Sequence, residues 1–467
     1  MNNTKVIVTM GKSCLDINVL RDLFSNGMDV ARFNMSYCSY EFCLDIINKI
    51  NKLNDEYSKK IAIMMDIAGP EIKVGKIENN KAYLSQGDKI RIYMDDIIGD
   101  KTKFSSNYNL VKYLKTNDII KVNNGKIVLS VIEIGSNYLL CEVIIPGEIE
   151  TGSNITVKNI KLDVPFLNKK DKEDIKFACK NNFDFLALSL VSTYDDVLSV
   201  NDLLIESGND HIDIFAKIEK EEAISEIDDI IKICDGVIIA RGDLGTEVPM
   251  EDVPIIQKNI ISKCKKAGKI GIVSTDFLAS MENSLMPTRA EVSDVSNAVI
   301  DGADVILLSD ETANGLYPVE TIKILEKIIY ATETGMPNFN RDYIDDGKDV
   351  TSAVSYSVVE CANKLKCLAI VSPTISGHTA KKLSHFRPNC PVIALSPNVD
   401  VIKNLSLRYG VYPVLISEIS SFDDIIEIAK KCTKSIMKTN ESDKIIITGG
   451  YPFSKVKHTN FMKIEEL

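Results

Sequence analysis

The stretch "IDIFAKIEKEEAISEIDDIIKICDGVIIARGD", residues 212–243, contains two short β-branched runs with an amphipathic segment between them. The runs "IDIFAKIE" and "DGVIIARG" predict buried strands, and the segment between them has the apolar spacing of a helix. Buried strands that are separated by single helices indicate a parallel sheet. This stretch therefore predicts one unit of an α/β fold.

The same alternation recurs on both sides of this stretch. Six further runs have the same character, namely "KVIVTM", "DVARFNMS", "KIAIMMDI", "FDFLALSLV", "KIGIVSTD" and "ADVILLSDE". Eight strands with helices between them predict an α/β fold class in the form of a (β/α)₈ TIM barrel.

Two regions do not follow the barrel pattern. Residues 69–165 contain short strands with Gly and Asn turns, which predicts a small inserted β-barrel domain that acts as a lid over the barrel mouth. A polar stretch, "MPNFNRDYIDDGKDVT", is predicted as a linker, and four later runs ("LAIVSP", "PVIALSP", "VYPVLIS", "DKIIITGG") predict a C-terminal α/β domain. The predicted domains are a catalytic barrel from 1–68 and 166–335, a lid from 69–165 and a regulatory domain from 336–467.

Composition excludes several classes of protein. The chain has 467 residues and a net charge of −11 without a long Lys/Arg run, which argues against nucleic acid as a partner. No apolar run reaches the length of a membrane span, and the N-terminus has no signal-like segment, so no membrane partner is expected. Its 11 cysteines are scattered, with no CxxC pair or Cys/His cluster, which argues against zinc and suits a cytoplasmic location.

Polar residues mark the ends of five predicted barrel strands. Side chains two residues apart on a strand face the same way, and the active sites of such barrels lie at the carboxyl ends of the strands. The residues expected to converge there are Arg32, Asn34, Ser36, Asp66, Lys217, Glu219, Asp243 and Thr275.

This set suits the chemistry of a phosphorylated substrate. Glu219 and Asp243 are carboxylates of the kind that hold a divalent ion such as Mg²⁺, while Lys217 and Arg32 suit a phosphoryl group in transfer. The backbone N–H groups of Gly242 and Asp243 lie at a predicted helix start, where they would bind a carboxylate. A lone Lys-x-Glu pair or "RGD" is more often a salt bridge or an exposed turn, but the convergence of five strand ends favours a site. The charges of "KKDKED", residues 169–174, are interpreted as a solvated helix face.

Several longer motifs resemble the pyruvate kinase family. They are "GMDVARFNMS", "MDIAGPEIKVG", "FAKIE", "DGVIIARGDLGTEVP", "MPTRAEVSDVSNAVIDGADVILLSDET" and "HTNFMKI", and they cover nearly the whole chain in the family's order. The resemblance is to bacterial-type members without an extra terminal domain. It implies the same plan of a barrel, an inserted β domain and a C-terminal α/β domain, assembled as a homotetramer.

The resemblance also implies roles for individual residues. Mg²⁺ (or Mn²⁺) would be held by Glu219 and Asp243, and K⁺ by Asn34, Ser36, Asp66 and the carbonyl of Ile67. Phosphoenolpyruvate or pyruvate would be bound by Arg32, Lys217, Gly242, Asp243 and Thr275, of which Lys217, Arg32 and Thr275 would be catalytic. ADP or ATP would be bound by Asn34 and Lys73, and Glu71 fits the K⁺-dependent subgroup.

The chain departs from the family pattern at Lys12, Tyr37, Ala68, Asn124 and Ser192, among other positions. These departures concentrate where the family holds nucleotide and closes its lid, whereas the groups for metal and enolate are complete. Two alternatives therefore stay open beside a pyruvate kinase: a metal-dependent 2-oxo acid lyase or decarboxylase, and a non-catalytic paralogue.

A second candidate site lies in the predicted C-terminal domain. In "IVSPTISGHTAKKL", a strand leads into a helix, and an anion site is predicted at Thr374, Ser376, Gly377 and Thr379. An ordinary N-cap would explain one of these hydroxyls but less well all three. The stretch resembles the phosphate pocket of allosteric pyruvate kinases, which implies a phosphorylated effector, and Lys381 and Lys382 are expected to add positive charge.

Overall fold

The barrel is built as the sequence predicts. The computed structural model describes residues 1–57, 59–123, 125–157, 165–209, 211–336, 349–417, 422–451 and 458–467. Eight parallel strands close into a barrel in which each strand pairs with its neighbours in sequence and the last pairs with the first. The strands are Lys5–Thr9, Val30–Asn34, Ala62–Ile67, Phe185–Leu188, Asp213–Ile218, Gly236–Ala240, Ile270–Ser274 and Val305–Leu308.

Helices surround this barrel, and the longer ones pack an apolar face against the strands. They are Ile17–Ser25, Tyr40–Glu56, Lys169–Lys180, Tyr194–Glu206, Glu221–Ser225, Ile227–Ile233, Arg241–Glu247, Val253–Ala267, Arg289–Asp301, Asp310–Ala313 and Pro318–Gly335. Inside the barrel, Phe185 and Phe215 pack edge to face with ring centroids 5.7 Å apart. The interior is therefore a filled core, and ligands have room only at its ends.

The insert has its own sheets and its own core. Six strands form one sheet: Lys89–Tyr93, Lys103–Ser105, Ile119–Val122, Ile127–Ile134, Tyr138–Ile145 and Ile155–Val157. Lys81–Leu84 and Gly147–Glu150 form a second, two-stranded sheet. Apolar side chains that face inward from these strands make a separate buried cluster, so the insert packs as a unit of its own on the barrel.

A pair of side chains at the start of the helix Lys169–Lys180 secures the junction between insert and barrel. The N–H of Gly69 donates to Asp171 Oδ1 at 3.2 Å, and Asn168 Nδ2 donates to the Gly69 carbonyl at 3.2 Å. Gly69 has φ +68°, and a Cβ there would meet the Ser189 carbonyl at 2.5 Å. The interpretation of "KKDKED" as a solvated face is therefore wrong in part, because Asp171 and Asp174 are fully buried.

The C-terminal domain is a five-stranded sheet flanked by helices. Its strands are Ala369–Pro373, Val392–Ser396, Val411–Leu415, Lys444–Gly449 and Phe461–Glu466, and the last pairs antiparallel with its neighbour. Its helices are Val350–Leu365, His378–His385, Val399–Asn404 and Phe422–Ile436. Most of the predicted linker, residues 337–348, lies outside the described residues. The predicted fold class is confirmed as a closed (β/α)₈ barrel with a small inserted sheet domain and a C-terminal α/β domain.

The C-terminal domain covers the amino end of the barrel. Arg387 forms a buried ion pair with Asp304 at 2.6 Å, and Lys403 approaches Asp184 at 3.3 Å. The opposite, carboxyl end of the barrel stays open beneath the insert. No helix in the described part of the chain is both long and apolar enough to cross a bilayer.

Candidate functional site

A cavity of about 1610 Å³ lies at the carboxyl ends of the barrel strands. Its walls come from the barrel, including Lys217 and Asp243, and from the insert, including Lys126 and Thr156. The strand-end residues that the sequence singles out line this space, except Asp66 and Ile67, which are buried. Lys73 does not line it, although its neighbours Glu71 and Ile72 do. The site is therefore built between barrel and insert.

Lys217 lies at the centre of a buried ionic cluster. Its Nζ is 2.9 Å from Glu219 Oε1, 3.3 Å from Asp66 Oδ2 and 2.8 Å from Ser189 Oγ. Burial by itself lowers the pKa of Lys217, but the carboxylates of Asp66 and Glu219 outweigh burial and raise this pKa above its ordinary value. The ammonium is therefore charged at neutral pH, directly beside the cavity.

Arg32 is held in place by two neighbouring strands. Its Nε donates to Asp66 Oδ2 at 2.8 Å and a terminal nitrogen donates to Thr9 Oγ1 at 2.8 Å. Burial of Asp66 disfavours its charge, but Lys217 and Arg32 together keep the pKa of Asp66 below its ordinary value. The other terminal nitrogen of Arg32 is 2.6 Å from Asp66 Oδ2, so Asp66 anchors both cations of the site, and Arg32 lines the cavity.

Glu219 and Asp243 form the acidic side of the cavity. Glu219 Oε2 accepts the N–H of Leu190 at 2.7 Å, which orients the carboxylate. Burial and the charge of Glu219 raise the pKa of Asp243 to about 7, although Lys217 lowers it. In the described part of the chain, no three His, Cys, Asp or Glu residues form a ready-made metal cage. Two carboxylates that repel each other fit a divalent ion that takes its other ligands from substrate and water.

The short helix Arg241–Glu247 carries Asp243 and is tied to the loop after the seventh barrel strand. Arg241 forms an ion pair with Asp294 at 2.7 Å and donates to the Thr275 carbonyl at 2.6 Å. The N–H of Gly242 donates to Thr275 Oγ1 at 2.7 Å, and the Thr275 hydroxyl donates to the Ser274 carbonyl at 2.6 Å. Thr275 has φ +69°, a strained conformation that turns its side chain toward this helix. The N–H of Gly242 is therefore engaged by Thr275 before any substrate binds.

The residues expected to bind K⁺ lie close together. Asn34 and Asp66 are directly paired on neighbouring strands, and Asn34 Oδ1 accepts the N–H of Ser36 at 3.0 Å. Ser36 Oγ is 3.4 Å from Glu71 Oε2, and the same oxygen is 2.5 Å from Lys73 Nζ. Lys73, expected at the nucleotide, thus has its ammonium paired with Glu71 beside this set.

The positions that depart from the family pattern are spread around the mouth. Tyr37 is 86% exposed and lines the cavity together with Lys12 and Ser192. Ala68 is buried behind them, and Asn124 lies outside the described residues. An exposed tyrosine and an exposed lysine therefore line the cavity.

The loop predicted to bind an effector forms a compact turn before the helix His378–His385. Thr374 Oγ1 accepts the N–H of Gly377 at 2.9 Å, and Gly377 has φ +77°. The Thr379 hydroxyl is buried and pairs with that of Thr459 at 2.8 Å, while Ser376 is half-buried. The turn before the helix therefore engages the Thr374 hydroxyl within the loop, whereas the Thr379 hydroxyl is engaged with Thr459.

The side chains of Lys381 and Lys382, which follow this loop, point in different directions. Lys382 Nζ donates to Ser352 Oγ at 3.0 Å, on the side of the neighbouring helix. Lys381 instead faces the amino end of the barrel, where burial and the charge of Arg408 lower its pKa and Asp213 raises it. The expectation that Lys381 adds charge to the effector loop is therefore wrong, because adjacent residues of a helix point about 100° apart.

Sequence reasoning missed three residues of the main site. Thr9 ends the first barrel strand and binds Arg32, and Ser189 directly follows the fourth strand and binds Lys217. Arg241 anchors the helix that carries Asp243. The sequence could have indicated Thr9 and Ser189, since each is a polar residue at the end of a run of buried residues.

Comparison with known proteins gives a consistent picture. Residues 1–322 match the family model for the pyruvate kinase barrel domain, and residues 352–465 match the model for the pyruvate kinase alpha/beta domain. A pyruvate kinase from Clostridium perfringens is 38% identical over 480 residues and covers all of both chains. One from Geobacillus stearothermophilus is 35% identical over 99% of this chain and 80% of its own. A solved pyruvate kinase from Cryptosporidium parvum superposes with a TM-score of 0.88 at 31% identity, covering 100% of this chain and 96% of that one.

Proposed function

The chain belongs to the pyruvate kinase family of phosphotransferases, and on that premise we propose that it transfers the phosphoryl group of phosphoenolpyruvate to ADP, giving pyruvate and ATP. One observation carries the proposal: Lys217 lies 2.9 Å from Glu219 and beside the cavity that Asp243 also lines. A permanent positive charge next to two carboxylates matches the needs of an enol phosphate that loses its phosphoryl group.

The roles of the side chains follow from their positions. Lys217 and Arg32 bind and orient the phosphoryl group, and Asp66 holds both cations in place. Glu219 and Asp243 hold Mg²⁺ (or Mn²⁺), which when bound neutralises charge on the enolate and phosphoryl oxygens. In the reaction, the bond from phosphorus to the enol oxygen breaks and a bond to the terminal oxygen of ADP forms. The enolate then takes up one proton at its methylene carbon.

Thr275 and the helix Arg241–Glu247 would orient the substrate. The Thr275 hydroxyl is bonded to the Ser274 carbonyl and the Gly242 N–H, so a substrate carboxylate that binds the Gly242 N–H must displace Thr275 from it. That exchange releases the hydroxyl to face the enolate, and we assign Thr275 a part in protonation. The strained φ of Thr275 supports a position that changes partners during the reaction.

We further propose that K⁺ binds at Asn34, Ser36, Asp66 and the carbonyl of Ile67, and that ADP contacts Asn34 and Lys73. Lys73 is paired with Glu71, and a nucleotide phosphate would compete with Glu71 for its ammonium. Release of Glu71 by Lys73 would then leave negative charge beside Ser36 for the monovalent cation.

Regulation and assembly extend the proposal. A phosphorylated effector would bind the loop of Thr374, Ser376, Gly377 and Thr379, and the protein would act as a homotetramer. All eleven cysteines lie in the described part of the chain and are free thiols, which supports a place in the cytoplasm.

A coupled assay tests the main proposal. Pyruvate formation from phosphoenolpyruvate should require both ADP and Mg²⁺, and should be faster in K⁺ than in tetramethylammonium buffer. Oxaloacetate decarboxylation is measured beside it. Decarboxylation without phosphoryl transfer would favour a lyase, and no activity in either assay would favour a non-catalytic paralogue. Equal rates with and without K⁺ would contradict the K⁺ site alone.

A further inference from the structure

Lys121 of the insert contacts the barrel domain near the mouth of the cavity. Lys121 lies in the strand Ile119–Val122, where it pairs with Thr156 on one side and Val128 on the other. Its Nζ donates to the backbone carbonyl of Thr246, in the last turn of the short helix Arg241–Glu247. Lys121 is half-buried and lies inside the six-stranded sheet, so its position is set by the whole insert.

The helix that Lys121 contacts depends on outside partners. It has seven residues, too few to be stable alone. Arg241 ties its first residue to the barrel through Asp294 and the Thr275 carbonyl. At its other end, the Val248 N–H satisfies the Leu244 carbonyl. The Thr246 carbonyl is bonded to the insert through Lys121, and a cation at a helix C-terminus is favourable.

A short chain of hydrogen bonds leads from this contact to the predicted metal ligand. Thr246 accepts from Lys121 through its carbonyl and donates from its hydroxyl to the Asp243 carbonyl at 2.8 Å. Glu247 lies beside Lys121, and burial and Glu222 raise the pKa of Glu247 while Lys220 and Lys121 lower it. The contact thus joins the insert to the turn of helix that carries Asp243.

We propose that Lys121 is a positioning residue: its bond to Thr246 latches the insert onto the helix Arg241–Glu247 and holds Asp243 in its metal-binding position. This inference rests on the proposed function for its kinetic consequence, but the latch itself is a structural statement. Loss of the latch lets the C-terminal turn of the helix fray and weakens the metal site, while Lys217 and Arg32 keep their positions.

The test compares Lys121→Met, which keeps the stem and removes the charge, with Lys121→Arg, which can still donate to a carbonyl. Lys89→Met, an exposed lysine of the same insert, is the matched control. Loss of a hydrogen bond from a charged group predicts about a tenfold rise in the Mg²⁺ concentration for half-maximal rate in Lys121→Met. Its kcat at saturating Mg²⁺ should stay within about threefold of wild type, and the other two variants should behave as wild type.

Amide hydrogen exchange supplies a readout that needs no turnover. The amides of residues 244–248 should exchange about tenfold faster in Lys121→Met than in wild type, and Lys121→Arg should restore their protection. Unchanged exchange overturns the latch whatever the rates. Faster exchange with an unchanged Mg²⁺ requirement overturns its link to Asp243. An inactive wild type would contradict the proposed function, and the exchange data would still decide the latch.

Discussion

The two ends of the barrel both bury charged side chains, but their neighbours differ. At the amino end, four aspartates each precede a barrel strand and accept a backbone N–H from an adjacent strand: Asp29, Asp184, Asp235 and Asp304. Two of them also meet cations of the C-terminal domain. At the carboxyl end, Lys217, Arg32, Glu219 and Asp243 surround a cavity.

This difference separates charges that hold the fold from charges that hold a ligand. Each buried aspartate at the amino end accepts a hydrogen bond from the backbone N–H of an adjacent strand. Removal of the aspartate would leave that N–H without an acceptor. Burial raises the pKa of both Asp184, to about 6, and Asp243, to about 7, but their charged neighbours differ. The Lys403 cation lowers the pKa of Asp184, whereas the Glu219 carboxylate raises that of Asp243 further. The charge of Asp243 is therefore unfavourable in the folded protein. A bound cation would remove that penalty.

The largest expected effect is at the carboxyl end. Glu219→Ala removes a predicted metal ligand and a partner of Lys217, so kcat in the coupled assay should fall at least about a thousandfold. Glu221→Ala, an exposed glutamate two residues away, is the control and should keep near-normal turnover. If Glu219→Ala has the kcat of the wild type at the same Mg²⁺ concentration, Glu219 is not a metal ligand.

The next effect is at the amino end. Arg387 pairs with Asp304 at 2.6 Å and lies 3.8 Å over the ring of Tyr409. Arg387→Met should therefore lower the free energy of unfolding by about 3 kcal/mol, while kcat of the folded protein stays within about twofold. Denaturant unfolding and the coupled assay measure both, with the exposed Arg289→Met as control. An unchanged free energy of unfolding in Arg387→Met would contradict the claim that the charges at the amino end stabilise the fold.

A smaller effect concerns pH. Because the pKa of Asp243 is raised to about 7, its carboxyl binds a proton below that pH and must release it for Mg²⁺ to bind. The Mg²⁺ concentration for half-maximal rate should therefore rise as pH falls below about 7, by up to about tenfold per pH unit. Mg²⁺ titrations at several pH values check this, and a constant requirement between pH 6 and pH 8 would contradict it.

The smallest effect lies away from both ends. If the loop of Thr374, Ser376 and Thr379 binds a phosphorylated effector, calorimetry with sugar phosphates and AMP should detect a ligand for the wild type. Binding to the triple alanine variant should be weaker by about fivefold. If no ligand binds the wild type, or the variant binds equally well, the loop is an ordinary helix cap.

Sequence reasoning succeeds where chemistry follows from periodicity. Eight strands with single helices between them predict the closed barrel. The rule that active sites lie at carboxyl strand ends predicts that Lys217, Glu219 and Asp243 lie together, and they line one cavity. The pyruvate kinase family and function predicted from the motifs are confirmed by the comparisons.

Sequence reasoning fails where the direction of a side chain or long-range packing determines the surroundings of a residue. Lys381 and Lys382 are adjacent in sequence but face different domains. The charge pattern around Asp171 suggests a solvated residue, yet Asp171 is buried because it caps its own helix and binds Gly69. The contact of Lys121 with Thr246 joins residues 125 positions apart, and no local pattern reports such a pairing. The aspartates that precede the strands are visible, as in "FDFLAL" and "ADVILL", but their acceptor role depends on the neighbouring strand.

The most direct test of the contrast between the two ends is the thermal unfolding of Asp243→Asn and wild type at pH 8, each with and without Mg²⁺. The folded-state pKa of Asp243 is raised above its unfolded value, so its ionisation lowers stability progressively as pH rises from about 4 to about 7. Without Mg²⁺, Asp243→Asn should therefore unfold at a higher temperature than wild type. Its free energy of unfolding should be larger by about 1–3 kcal/mol. Mg²⁺ should stabilise the wild type and leave the variant unchanged. A variant that is less stable than wild type without Mg²⁺, or that Mg²⁺ stabilises equally, would contradict the account.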